Sequence, residues 1–222
     1  MKLAESTKHA VFHAAPFVAW IAMMSALPAT AAGYAARTAV TAVVGLWCWR
    51  KYGWALPADA KRARSWAAGL AVGVVVAVLW IAPEDCAWYR RWLTWGGETA
   101  SGPSPYDPAA CGWALTLAKL VGSAFVIAPV EEVFFRSFLY RRLQRVDFRA
   151  VAAAAFDLSA FLWMVGLFAL EHPPRFVAGA MAGAFYGFAF VRFGLAAAIV
   201  AHVVTNLLLA LWVVLVGDWG FW

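Results

Sequence analysis

The sequence predicts an all-α protein whose helices cross a bilayer about seven times and pack as one bundle. Three observations carry this. Hydrophobic residues make up 64% of the 222 and charged ones 14%, with a mean hydropathy of +0.72, which leaves too little polar surface for a water-facing globule. The apolar runs are continuous and long enough to span a hydrocarbon core, without the alternation of barrel strands. Backbone amides in lipid must be satisfied within their own segment, so continuous apolar runs become helices.

The runs place spans at roughly 11–30, 35–50, 66–82, 113–129 with a polar helical continuation to about 145, 152–171, 176–191 and 195–216. The first starts near Val11 and carries no convincing cleavage site, so it is expected to be a retained span. No internal repeat, low-complexity tail or long linker divides the chain, so residues 1–222 are expected to form a single transmembrane domain. The missing repeat also argues against a small transporter built from paired broken helices.

A formal net charge of +6 would suit a nucleic-acid partner, but Lys and Arg fall in short clusters between apolar runs. There they orient the chain and contact lipid headgroups, so membrane lipid is the expected partner and nucleic acid is not. Lys2 and Lys8, then Arg50 to Arg64, then Arg136 to Arg149, then Arg192 lie in alternate loops. Seven spans place all four clusters on one side, which predicts a cytoplasmic N-terminus and an outer loop at 83–112. That loop carries Glu84, Asp85, Glu98 and Asp107, and with Trp88, Trp92, Trp95 and Trp113 suits an interfacial belt, although Arg37, Arg90, Arg91 and Arg175 are basic on the same side. The three cysteines fit no metal-binding spacing; Cys86 and Cys111 flank this loop and would form a bridge in an oxidising compartment.

Ionisable side chains at membrane depth cost roughly 2.5–3.5 kcal/mol each on insertion scales, so they face a bundle interior and usually act there. The candidates are Lys119, Glu131, Glu132, Arg136, Asp157, Glu171, His172 and His202, with Asn206 as a neutral partner. Pro129 is expected to kink or restart its helix just before the paired carboxylates. Glu132 and Arg136 stand at i and i+4 on one face, whereas Glu131 points about 100° away, so one carboxylate can be held by Arg136 while the other faces a cavity. Taken alone, the pair fits equally a cytoplasmic amphipathic helix in which both glutamates simply meet basic residues.

His172 ends the fifth run before Pro173-Pro174, which cannot continue a regular helix. His202 and Asn206, again i and i+4, share a face of the last span. Each histidine has a plain reading beside the functional one: a helix-end imidazole for His172, interhelical hydrogen bonding for His202 and Asn206. Asp157 is expected to cap a helix restart before Leu158, and Lys119 to pair or snorkel. Counted from Ala152, His172 lies about 30 Å up its helix, while His202 is only eight residues into its span. The two levels meet if residues 147–156 lie along the interface and the transmembrane part begins near Asp157, which is the expectation.

Glu131-Glu132-Val133-Phe134-Phe135-Arg136, Phe168-Ala169-Leu170-Glu171-His172 and His202-Val203-Val204-Thr205-Asn206 read as E-E-x-x-x-R, F-x-x-x-H and H-x-x-x-N. In that order and each on an apolar helix, they resemble the three membrane motifs of the CPBP family of CAAX proteases and bacteriocin-processing or immunity proteins, also called the ABI family. The resemblance covers about residues 113–210. It implies a glutamic-type intramembrane endopeptidase acting on a protein or peptide substrate with a membrane-embedded or lipid-anchored segment. Glu131 would activate water with His172, His202 and Asn206 would stabilise the oxyanion, and Glu132 and Arg136 would support the site. The chemistry is physically reasonable, because a desolvated carboxylate is a stronger base and preorganised donors stabilise developing charge.

Two rivals stand beside this reading. One is a non-catalytic immunity or scaffold protein of the same fold. The other is a zinc-dependent protease holding metal on Glu131, His172 and His202; because the H-E-x-x-H spacing is absent, the expectation is an enzyme without metal or other cofactor. Within the family the chain resembles a subset that accompanies sorting systems for proteins with C-terminal membrane anchors, and its compact alanine- and tryptophan-rich sequence looks bacterial, so a bacterial inner membrane is the expected location.

Overall fold

Each apolar run is a helix: α1 (Lys2–Ala26), α2 (Ala31–Tyr52), α3 (Ala63–Ile81), α4 (Trp113–Gln144), α5 (Leu158–Leu170), α6 (Phe176–Phe193) and α7 (Leu195–Val216). The computed structural model describes residues 2–52, 58–86 and 104–222, and no strand occurs among them. Five helices are long and apolar enough to cross a membrane, namely α1, α3, α4, α6 and α7. A further apolar segment, α5, is shorter at 13 residues. The chain is an integral membrane protein built as an all-helical bundle.

The helix ends follow from local chemistry. Thr30 Oγ1 accepts the Gly33 N–H at 3.1 Å and opens α2. Asp157 caps α5, its carboxylate accepting the Ala160 N–H at 2.7 Å. Residues 148–150 form only a 3-10 turn, and α5 starts at Leu158, directly after Asp157. Gly194, at φ 98°, reverses the chain between α6 and α7 in a conformation that an L side chain rarely adopts. Asp59, from the turn before α3, caps α7 across the bundle by accepting the Ala196 N–H at 2.8 Å.

Pro129 does not restart its helix; α4 runs on through it. A π-helical turn at Ser123–Ile127 precedes the proline and a second at Val133–Leu139 follows the glutamates. Proline lacks the N–H that an α-helix needs and its ring crowds the preceding turn, and a wider π turn relieves both problems without ending the helix. The pair Glu131-Glu132 therefore sits on one α-helical turn between two wide ones.

α3 and α7 pack against each other through Gly69 and Gly73, a small-x-x-x-small pair. A Cβ on Gly73 would fall 2.6 Å from the Ala201 carbonyl oxygen and 2.7 Å from Val204 Cβ; on Gly69 it would fall 2.7 Å from Val200 Cβ. Thr205 adds a hydrogen bond from its hydroxyl to the Gly73 carbonyl at 3.0 Å. Overpacking of this kind costs about 1–3 kcal/mol. Gly73→Val is therefore expected to lower the melting temperature in detergent by several degrees. Gly45→Ala, which meets nothing within 4 Å, should leave it unchanged; equal melting of the two variants would refute the close contact.

Trp88, Trp92, Trp95, Arg90, Arg91 and Glu98 lie outside the described residues. Cys86 and Cys111 are free thiols and not bridged: Cys111 closes a one-turn helix at Pro108–Cys111, and its sulfur lies 3.5 Å from Thr116 Oγ1.

Candidate active site

The turn of α4 between the π segments sends its two carboxylates to different places. Glu132 is fully buried, and its Oε1 accepts from Arg136 Nη1 at 2.9 Å and from His202 Nδ1 at 2.9 Å. Arg136, also fully buried, spends its other terminal nitrogen on the Gly183 carbonyl of α6 at 3.2 Å and lays its guanidinium over the Phe168 ring at 4.4 Å. One ion pair thus ties α4, α5, α6 and α7 together. Glu131, one residue earlier, faces a cavity of about 580 Å³. Its Oε2 lies 3.8 Å from His202 Nε2.

All four residues expected to do chemistry, Glu131, His172, His202 and Asn206, line this one cavity. It is bounded by more than α4, α5 and α7: Trp20 of α1, Tyr34 of α2, Trp80 of α3 and Tyr186 of α6 also contribute. The levels of the histidines meet because α5 begins six residues later than Ala152, about 9 Å further along its axis. Phe168 contacts both imidazoles, with ring centroids 5.0 Å from His172 and 5.8 Å from His202.

The imidazole beside Glu131 is His202, which stands between the two glutamates, whereas His172 donates from Nδ1 to the Phe168 carbonyl at 3.0 Å. A carbonyl and a carboxylate can only accept, so both histidines carry hydrogen on Nδ1 and direct Nε2 elsewhere. His202 stacks on Tyr186 at 4.7 Å and 23°, which fixes the plane of its ring. Asn206 donates from Nδ2 to the Ser123 carbonyl at 3.0 Å, inside the first π turn, and this leaves a second N–H and the amide oxygen for other partners.

Three residues without an expected role in the site belong to it. Tyr186 and Glu171 line the cavity; Tyr186 carries no motif, and Glu171 stands at a variable position of the F-x-x-x-H pattern. Lys119, expected to be structural, lines the cavity too. The available signal is the spacing of Lys119, Ser123, Ile127 and Glu131, four cavity-lining residues at successive i+4 positions. Among the described residues, no group of three His, Cys, Asp or Glu side chains is placed to hold a metal ion.

Residues 113–208 match the family described as Rce1-like, type II CAAX prenyl endopeptidase Rce1-like. Comparison of the chain with curated proteins and with solved structures found no match to either.

Proposed function

We propose, from the match of residues 113–208 to the Rce1-like family of CAAX proteases, that the chain is a glutamic-type intramembrane endopeptidase. The observation that carries this reading is the convergence of Glu131, His202, His172 and Asn206 on one cavity inside the bundle. Lipid makes such a group of polar side chains costly unless they serve one another or a reaction.

In this reading a water is held between Glu131 Oε2 and His202 Nε2, whose 3.8 Å separation suits a shared water better than a direct bond. Glu131 takes one proton from the water as its oxygen adds to the scissile carbonyl carbon. The resulting oxyanion is met by the free amide N–H of Asn206. The C–N bond then breaks, and the proton held by Glu131 passes to the departing amine. Glu132 orients His202 through Nδ1, and Arg136 holds Glu132 in place. His202 thus takes the part beside the base that the motif comparison gave to His172.

The substrate class is a protein with a membrane-embedded or lipid-anchored segment, processed in a bacterial inner membrane by a chain whose N-terminus is cytoplasmic. The test uses the full chain in nanodiscs with a farnesylated peptide ending in Cys-Val-Ile-Met. Cleavage in H2-18O should place one 18O atom in the new carboxylate, and activity should survive exhaustive chelation. Absence of product would sink the hydrolase reading in favour of the scaffold. Loss of activity on chelation, restored by stoichiometric zinc, would move the enzyme to the metalloproteases.

A further inference from the structure

The cavity has a positive end that the reaction described above leaves unused. Lys119 stands on the same stripe of α4 as Glu131, three helical steps away, with Ser123 and Ile127 between them. Its ammonium lies over the rings of Tyr34 at 4.2 Å and Tyr106 at 4.8 Å, with Trp222 at 5.9 Å. Arg37 stands behind it, 7% exposed, with its guanidinium 5.1 Å over Tyr34 and 5.0 Å over Trp20. Among the described residues neither cation is paired with a carboxylate, and the buried Arg37 Nε has no hydrogen-bond partner there.

Two like charges in one aromatic box repel, and cation–π contacts of about 0.5–2 kcal/mol steady each without neutralising either. The arrangement lacks an anion. We propose that Lys119, backed by Arg37, binds the C-terminal carboxylate of the peptide lodged in the cavity, a few residues beyond the bond presented to Glu131. This rests on the hydrolase reading for the identity of the ligand.

The spacing fits. Twelve residues of helix separate the Lys119 and Glu131 backbones by about 18 Å, at most about five residues of extended peptide. Side chains reaching into the cavity shorten that further. A peptide lying along the stripe would then pass Ser123 and Asn206 between its two charged anchors. The cation end would also measure how far from its terminus a substrate is cut.

Two measurements on the full chain in nanodiscs separate this proposal from the reading beneath it. The first is binding of the same farnesylated peptide, as free acid and as C-terminal carboxamide, to the Glu131→Gln variant by fluorescence anisotropy. The acid should bind about tenfold to a hundredfold more tightly. Adding Lys119→Met should abolish the preference by weakening the acid alone, whereas Lys119→Arg should preserve it; melting curves establish that each variant is folded. The second is turnover of both peptides by the otherwise unaltered chain. A preference for the acid without turnover would sink the hydrolase reading and keep the subsite. Turnover without a preference, equal affinity for the two peptides, or binding of neither would overturn the subsite. Loss of the preference when phosphatidylglycerol replaces phosphatidylcholine would assign the cations to a lipid phosphate, which also overturns it.

Discussion

Glu131→Gln is expected to remove turnover while leaving the bundle folded. The amide has nearly the size and shape of the carboxylate but cannot take a proton from water, and loss of a positioned general base costs on the order of 10²–10⁴-fold. In a cavity inside the bundle no bulk buffer replaces it, so the upper end of that range is the expected one. The fold should tolerate the change because Glu131 makes no hydrogen bond within the described residues; His202 Nε2 lies 3.8 Å from its Oε2. The measurement is product formation by mass spectrometry, with a melting curve and size-exclusion profile to establish the folded state. Cleavage retained at the original rate would remove Glu131 from the mechanism. A scaffold or immunity protein predicts a different pattern: no product from the unaltered chain, and altered partner binding or stability in the variant.

Much of this site is readable because lipid makes polar residues conspicuous. In a water-soluble protein Glu131, His202 and Asn206 would be lost among dozens of surface groups; in a chain that is 14% charged they stand out, and the i,i+4 spacings already assign Glu132 to Arg136. Asp157 reads as a cap because the apolar run resumes directly behind it. What stays hidden depends on helix rotation and on contacts between distant segments. Two π turns change the angular phase of α4, so a 3.6-residue wheel gives the wrong neighbours beyond one turn on either side of Pro129. That His202 rather than His172 stands beside Glu131 is set by how deeply α5 and α7 enter the bundle, which depends on where α5 begins. Gly69 and Gly73 are visible as a pair of glycines, but their partner helix α7 is not. Lys119 reads as structural because a lone lysine near a span end usually snorkels; only the aromatic residues of α2 and of the segment before α4 show that it is enclosed.

Arg136→Met is expected to be the most destabilising single change in the site. The guanidinium is fully buried, and among the described residues it is the only permanent cation bonded to Glu132, itself fully buried. Removing it leaves a carboxylate in the interior with only His202 as partner, and breaking a buried pair from one side costs about 3–5 kcal/mol. The Phe168 ring loses its cation and the Gly183 carbonyl its donor at the same time. On a scale where 1 kcal/mol moves the midpoint of a chain this size by about 2–4 °C, the fall should be roughly 10 °C. Adding Glu132→Gln to Arg136→Met should recover much of that loss, because the isolated charge, rather than the lost attraction, is the main cost. The network is already incomplete, since Glu132 Oε2 and Arg136 Nε have no hydrogen-bond partner among the described residues, so its neutral replacement gives up less than a fully satisfied one would. Turnover should stay low in the double variant even as stability returns, because His202 keeps its partner at Nδ1 but loses the carboxylate that sets its proton arrangement. Melting curves and turnover for the two single variants and the double complete the cycle. A double variant no more stable than Arg136→Met, or Arg136→Met melting within a degree or two of the unaltered chain, would show that the pair does not hold the four helices together.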